Sequence, residues 1–94
     1  MTLLDDAKKA ARIMSNFYDD EINDLLDAGK AELQLAGIFF EDKDALHPLI
    51  KRALITYVKG HFGYDNPEAP RFLESYLHMK QHLQLSGEFN EPLE

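Results

Sequence analysis

Two histidines on the last predicted helix come nearest to a metal-binding pattern. His78 and His82 are four residues apart, so a helix places both imidazoles on one face, where they could share a metal ion. A zinc site needs further ligands, but no glutamate follows His78 as in the zincin motif, and the chain contains no cysteine. We therefore predict no metal site and interpret the two histidines as surface residues.

Three aspartates on the second predicted helix have a spacing that could serve acid–base chemistry. Asp20, Asp24 and Asp27 lie at positions i, i+4 and i+7 of one helical face, where carboxylates can exchange protons with a substrate. The same spacing is typical of a solvated helix face, which is the simpler interpretation. The sequence has no nucleophile elbow, phosphate-binding glycine loop or recognisable Ser–His–Asp grouping. We therefore predict no catalytic residue, no cofactor and no enzymatic activity.

The elements that would position these side chains are organised around one apolar stretch, from about residue 44 to residue 63. Its apolar residues recur at the period of an α-helix. Asp44 could cap this helix, and Pro48 falls in its first turn, where a missing N–H costs least. The stripe includes His61, which we expect to be a hydrogen-bonded core residue. The other members are Leu46, Leu49, Ile50, Ala53, Leu54, Tyr57, Val58 and Phe62.

Three further amphipathic segments complete an all-α fold, a small four-helix bundle-like domain. Thr2 and Asp5 form a capping-box-like start to the first segment. Gly29 lies on the apolar stripe of the second, where it would let another helix approach closely. We expect one domain over residues 1–87, followed by a short acidic tail over residues 88–94. The three helices are predicted over about residues 2–14, 20–36 and 70–86.

Two pairs of aromatic residues fall in predicted loops, and we expect other parts of the protein to cover their large apolar side chains. We expect Phe17 and Tyr18 to fold over the core at the first turn. Phe39 and Phe40 follow the second helix, and the sequence leaves two alternatives for them. They could plug the base of the bundle, or they could lie at a contact between subunits.

The charge balance excludes some classes of partner. The 94-residue chain carries a formal net charge of −7, which argues against a general nucleic-acid binder and against an anionic membrane surface. No apolar run approaches membrane-spanning length, and we expect no signal peptide. The absence of cysteine is compatible with a reducing cytoplasm.

The order of the elements resembles the small head–tail connector proteins of tailed bacteriophages, also called head-completion or DNA-packaging adaptor proteins. The resemblance covers roughly residues 3–90. Its most specific parts are the segment from Asp19-Asp20-Glu21-Ile22 to Gly37 and the Leu-x-Leu-Ser-Gly-Glu-Phe ending from Leu83 to Phe89. Each part is a degenerate helical pattern alone, and their order and spacing give the resemblance its weight.

The resemblance implies a structural adaptor subunit that is made in the bacterial cytoplasm and resides in the virion neck. Copies would assemble into a ring below the portal protein, DNA would pass through the lumen without specific binding, and a stopper or tail-completion protein would dock on the ring. Phe39, Phe40, Phe89 and Leu93 are then candidate contacts with other subunits or partners. Asp20, Asp24 and Asp27 are candidates for the lumen surface, where like charge would let DNA slide.

Two alternatives come from other functional classes. One is a small DNA-binding or packaging regulatory protein. Neighbouring acidic residues offset the positive charge of Lys51 and Arg52, however, and no basic recognition helix is evident. The other is a small hydrolase that uses His78, His82 or the acids of the second helix, for which the sequence offers no positive support.

Overall fold

The computed structural model describes residues 2–41, 46–63 and 66–89, and these ranges contain four α-helices, as the sequence predicts. Successive helices run in opposite directions. The start of α4 is joined to the end of α3, because the Asn66 side chain donates to the Lys59 carbonyl. The ends of α2 and α4 meet where the Gln84 side chain donates to the Ala36 carbonyl. The helices are α1 (Leu3–Ala10), α2 (Asp19–Leu35), α3 (Pro48–His61) and α4 (Ala69–Leu85).

The core lies around α3, which contacts each of the other three helices. Ile50, Leu54 and Val58 on α3 are completely buried, which confirms the predicted apolar stripe as the centre of the fold. Side chains from all four helices and from both the α2–α3 loop and the C-terminal segment complete this core. They are Ala7, Ile22, Leu26, Leu33, Ile38, Ala53, Tyr57, Tyr76, Leu83 and Phe89.

Two glycines allow helices to approach α3 more closely than any side chain would. A Cβ atom on Gly29 of α2 would lie 3.0 Å from the Cδ2 atom of Leu54, which confirms the predicted close approach. A Cβ atom on Gly60 would lie 2.6 Å from the Cδ2 atom of Leu73 on α4. Glycine often marks the end of a helix, but Gly60 lies inside α3 and is buried there.

The central helix begins later than the sequence indicates, at Pro48 instead of near residue 44. His47 is its N-cap, and its Nδ1 atom accepts a hydrogen bond from the Leu49 N–H at 3.1 Å. A residue that precedes proline avoids the helical region, and proline itself suits the first helical position. The predicted cap at Asp44 lies outside the described residues.

The first helix starts as predicted and ends earlier. Thr2 and Asp5 form both bonds of the capping box, and the backbone and side-chain hydrogen bonds from Thr2 lower the pKa of Asp5. The helix ends at Ala10, because Arg12 adopts a left-handed conformation with φ of 60°. The segment predicted to continue to residue 14 therefore leaves the helix.

Both α1 and α2 end in the same Schellman arrangement, although only α2 has the usual glycine. In α2, Gly37 has a φ of 85°, and the Ile38 N–H bonds to the Leu33 carbonyl at 3.0 Å. In α1 the corresponding bond joins Ile13 to the Lys8 carbonyl at 2.8 Å. This pattern satisfies carbonyl groups that a helix end would leave free.

Two ion pairs hold α1 against the rest of the bundle. The Nζ atom of Lys8 lies 2.8 Å from an Asp19 carboxylate oxygen at the start of α2. The Nζ atom of Lys51 on α3 lies 2.5 Å from the Asp6 carboxylate. The Lys8 side chain is only 12% exposed, so its charge depends on Asp19 more than a surface lysine would.

Candidate interaction surfaces

We call the end of the bundle that carries the α1–α2 loop and Phe62 the upper end, and the end that carries Leu35, Phe39 and Leu85 the lower end. The outer face of α2 runs between them and points away from the core. Its upper half is acidic and its lower half is apolar. The acidic half consists of Asp20, Asp24 and Asp27, and the apolar half of Ala28, Ala31 and Leu35, all of them exposed.

The lower end presents bulky apolar side chains to solvent. Leu35 is 89% exposed, Leu85 is 86% exposed and Phe39 is 47% exposed. Phe40 is only partly exposed and packs against the core. The two alternatives for this aromatic pair are therefore divided between its members within the subunit: Phe40 helps to close the base of the bundle, and Phe39 stays available for contact.

Phe89, a predicted partner contact, is buried inside the subunit. It is 6% exposed, its ring lies edge-on to His47 with centroids 4.9 Å apart, and its carbonyl accepts a hydrogen bond from the Phe39 N–H. The packed structure therefore reaches at least Phe89, two residues beyond the predicted domain limit at residue 87. Leu93, the other C-terminal candidate, lies outside the described residues.

A groove with an apolar floor runs between α3 and α4 on the side of α4 that faces away from α2. Its volume is about 340 Å³. Leu49, which was predicted as part of the core stripe, is 45% exposed here. Both histidines of the sequence-based metal hypothesis lie in this groove. The lining consists of Leu49, Arg52, His78, Met79, His82 and Leu83.

The upper end carries a second exposed apolar group. Met14 is 96% exposed and Phe17 is 83% exposed, so the expectation that Phe17 folds over the core is wrong. Tyr18 is also exposed, at 42%, although its ring packs edge-on against Phe62 at 5.3 Å and against Phe17 at 5.0 Å. The early end of α1 is the cause, because it leaves this loop outside the helix packing.

A buried tyrosine links α4 to α2 without offering reactive chemistry. The Tyr76 hydroxyl is buried and has no hydrogen-bond partner of good geometry among the described residues. Burial raises its pKa well above the usual value for tyrosine, and the nearby Glu32 carboxylate adds to the shift. Glu32 itself pairs with Lys80 at 3.1 Å. A tyrosine that holds its proton this firmly is a poor acid or nucleophile at neutral pH.

The structure brings together no candidate active or metal centre in the part of the chain that it describes. Within those ranges no group of three or more His, Asp or Glu residues could hold a metal ion. His61, expected in the core, is exposed at the end of α3, where its ring packs against Tyr57 with centroids 4.1 Å apart. Among the described helices, none has the length and apolar character needed to cross a membrane.

Sequence reasoning missed the groove and the upper apolar end. Periodicity placed Leu49 on the core stripe but could not say that the α3–α4 packing stops short of it. The exposure of Met14 follows from the left-handed Arg12, for which the sequence offers no glycine as a signal. His78 and His82 were singled out for their spacing, and only the structure shows that they border an apolar depression.

These features define a small helical interaction module with apolar surfaces at both ends and on one side. The sequence model of one family, described as phage connector protein, matches residues 3–90. The chain belongs to this phage connector protein family, which confirms the resemblance. Membership gives it a connector-type structural role at the head–tail junction of a bacteriophage particle, and suggests a structural protein instead of an enzyme. Searches among curated proteins and among solved structures gave no match.

Proposed function

We propose that this chain is the adaptor subunit of a phage neck, and that copies of it close into a ring below the portal protein. DNA passes through the lumen of the ring, and a stopper or tail-completion protein docks on the side away from the portal. The observation that carries the proposal is the family match over residues 3–90, nearly the whole chain.

Exposed apolar residues at opposite ends of the bundle support a subunit that joins two layers. Met14 and Phe17 lie at the upper end, and Leu35, Phe39 and Leu85 lie at the lower end. Side chains of this size are normally covered when they cluster on a soluble protein. We assign one end to the portal side and the other to the stopper side.

The contact residues expected from the sequence differ in how far the subunit must change before they can meet a partner. Phe39 is already exposed and can meet a partner directly, whereas Phe40 could contribute only its outer edge. Phe89 would have to leave its position against His47. Leu93 follows this buried anchor by four residues, so we propose that it contacts a partner while Phe89 stays in place.

We further propose that the acidic half of the outer face of α2 borders the lumen. Asp20, Asp24 and Asp27 are exposed, and none has an ion-pair partner among the described residues. Unpaired carboxylates repel the phosphate backbone, so they would reduce the friction of DNA passage without specific binding.

Electron microscopy of the chain mixed with the portal protein of its own phage tests the ring. We expect a ring of density attached to the portal, and we expect Phe17→Ser and Phe39→Ser to weaken attachment of different partners, portal in one case and stopper in the other. Each variant is the control for the other. A chain that stays monomeric and unattached with portal present would contradict the proposal.

The alternative of a DNA-binding or packaging regulator makes an opposite prediction in a gel shift. With a net charge of −7, the adaptor should form no tight complex with duplex DNA even at low salt, where phosphate contacts are strongest. A salt-sensitive complex of micromolar affinity or tighter would favour the regulator.

A further inference from the structure

We propose that the groove between α3 and α4 receives a neighbouring copy of this chain, which inserts the apolar lower half of its α2 outer face. The inference rests on the self-assembly proposed above and identifies the two surfaces that meet. One surface is the groove lined by Leu49, Arg52, His78, Met79, His82 and Leu83. The other is the α2 lower face, formed by Ala28, Ala31 and Leu35.

The two surfaces match in shape. Leu35 projects from the end of α2 with 89% of its surface exposed, and the groove offers about 340 Å³ above an apolar floor. Ala31 and Ala28, the exposed residues one and two turns before Leu35, are small. A helix with small residues on its face can approach another helix closely, so Leu35 can reach the floor between Leu49 and Met79.

Unpaired charges on the two surfaces also complement each other. Arg52 at the edge of the groove has no ion-pair partner among the described residues, and neither has Asp27 at the upper border of the α2 lower face. No acidic residue lines the groove within the described ranges, although the chain carries 17 acidic side chains. An acidic neighbour therefore fits this groove better than a basic one.

The order of features along the bundle is the same on both surfaces. Leu35 lies at the lower end of α2, and Asp27 lies eight residues higher, about 12 Å at 1.5 Å per residue. On α3, Leu49 lies near the lower end and Arg52 lies about one turn higher. The step from Leu49 to Arg52 is only about 4.5 Å. Two copies can therefore stand side by side in parallel with apolar residues opposite apolar residues, and the long Arg52 side chain has to extend toward the upper end to reach Asp27.

A subunit cannot fill its own groove with its own α2. Tyr76 and Lys80 on α4 face Glu32 of α2, and Gln84 reaches Ala36 at its end, whereas Met79 and His82 lie on the groove side of the same helix. The contact therefore joins two different surfaces of two copies. A head-to-tail contact of this kind repeats around a ring when its rotation closes.

The contact leaves most of the acidic half of α2 free. The groove extends from His78 to Leu83 along α4, about 7.5 Å, so it covers only the last turns of a 17-residue helix. Asp27 lies just beyond this span, and Asp24 and Asp20 lie about one and two turns further away. Asp24 and Asp20 can border the lumen while Asp27 marks the edge of the subunit contact.

Charge reversal with rescue tests the pairing in the full-length chain. We expect Asp27→Arg and Arg52→Glu each to weaken self-association about tenfold or more. The double variant D27R/R52E should recover most of the loss, because every contact then pairs opposite charges again, with the two signs exchanged. Association is measured by sedimentation velocity of the chain alone and by ring occupancy on the portal in electron micrographs. Unchanged circular dichroism melting curves show that each variant is folded, as expected for two exposed positions.

Introduced cysteines give a second and independent readout, since the chain has no cysteine of its own. Under mild oxidation, the variant L35C/M79C should form a ladder of disulfide-linked oligomers. The control variant L35C/K9C places the second cysteine on the exposed side of α1 and should give no ladder.

The outcomes separate this inference from the proposed function. If the wild-type chain forms rings, but single reversals have no effect or the double variant is no better than the singles, the inference is overturned and the ring remains. If L35C/M79C links no better than the control in assembled rings, the inference is also overturned. If the wild type never assembles, alone or with portal, the result contradicts the proposed function itself, on which this inference rests.

Discussion

Replacing Leu54 by alanine tests the packing on which the whole subunit depends. Leu54 is completely buried at the centre of α3, and it faces Gly29 so closely that a Cβ there would lie 3.0 Å from its Cδ2 atom. Leucine-to-alanine changes in such positions cost about 2–5 kcal/mol, with the larger values where the surroundings cannot collapse into the cavity. The backbones of α2 and α3 are already close at Gly29, so we expect a cost in the upper half of that range.

The assay is urea unfolding followed by circular dichroism, with a thermal scan as a check. In a domain of this size, each kcal/mol lowers the melting temperature by about 4–8 °C, so we expect Leu54→Ala to lower it by more than about 10 °C. The matched control is Leu35→Ala, the same substitution on a side chain that is 89% exposed, for which the free energy of unfolding should change by less than about 0.5 kcal/mol. Equal stability of the two variants would refute the placement of Leu54 in the core.

Three other substitutions probe separate features by the same unfolding assay. Gly60→Ala should destabilise the chain by about 1–3 kcal/mol through overpacking against Leu73, although alanine favours helices in general; a stabilised variant would show that α4 shifts easily. Because burial raises the pKa of Tyr76, the folded state disfavours its ionised form, and stability should be complete below about pH 10 and fall as the pH rises further. Tyr76→Phe should cost little at pH 7 and reduce that alkaline loss, and an unchanged alkaline profile would contradict this. Lys8→Ala should cost about 1–3 kcal/mol by leaving Asp19 without its partner, whereas a change below about 0.3 kcal/mol would place the pair among weak surface ion pairs.

The helices and most of the core could be predicted from sequence because their signals are local. The capping box at Thr2 and the glycine that ends α2 depend on residues within one turn. The apolar period of α3 identifies Ile50, Leu54 and Val58 correctly, since a long amphipathic helix has only one face to bury. These features required no knowledge of what packs against them.

The surfaces could not be predicted because they depend on where packing stops. Periodicity predicted that Leu49 and His61 would be buried as Leu54 is. Leu49 instead lies in the groove between α3 and α4, and His61 lies at the exposed end of α3. Arg12 takes the left-handed position that glycine usually occupies, so the sequence carried no signal for the end of α1. Phe89 was expected in a free tail, but it packs against His47, a residue far from it along the chain.

The position of Phe89 has a mechanical consequence. Its carbonyl is bonded to Phe39 and its ring rests on His47, the residue that caps the first turn of α3. Tension applied to the residues that follow Phe89 would therefore be shared between the extended segment after α2 and the start of the central helix. A load from a neighbouring component would enter the subunit through its central helix and spare the exposed end of α4.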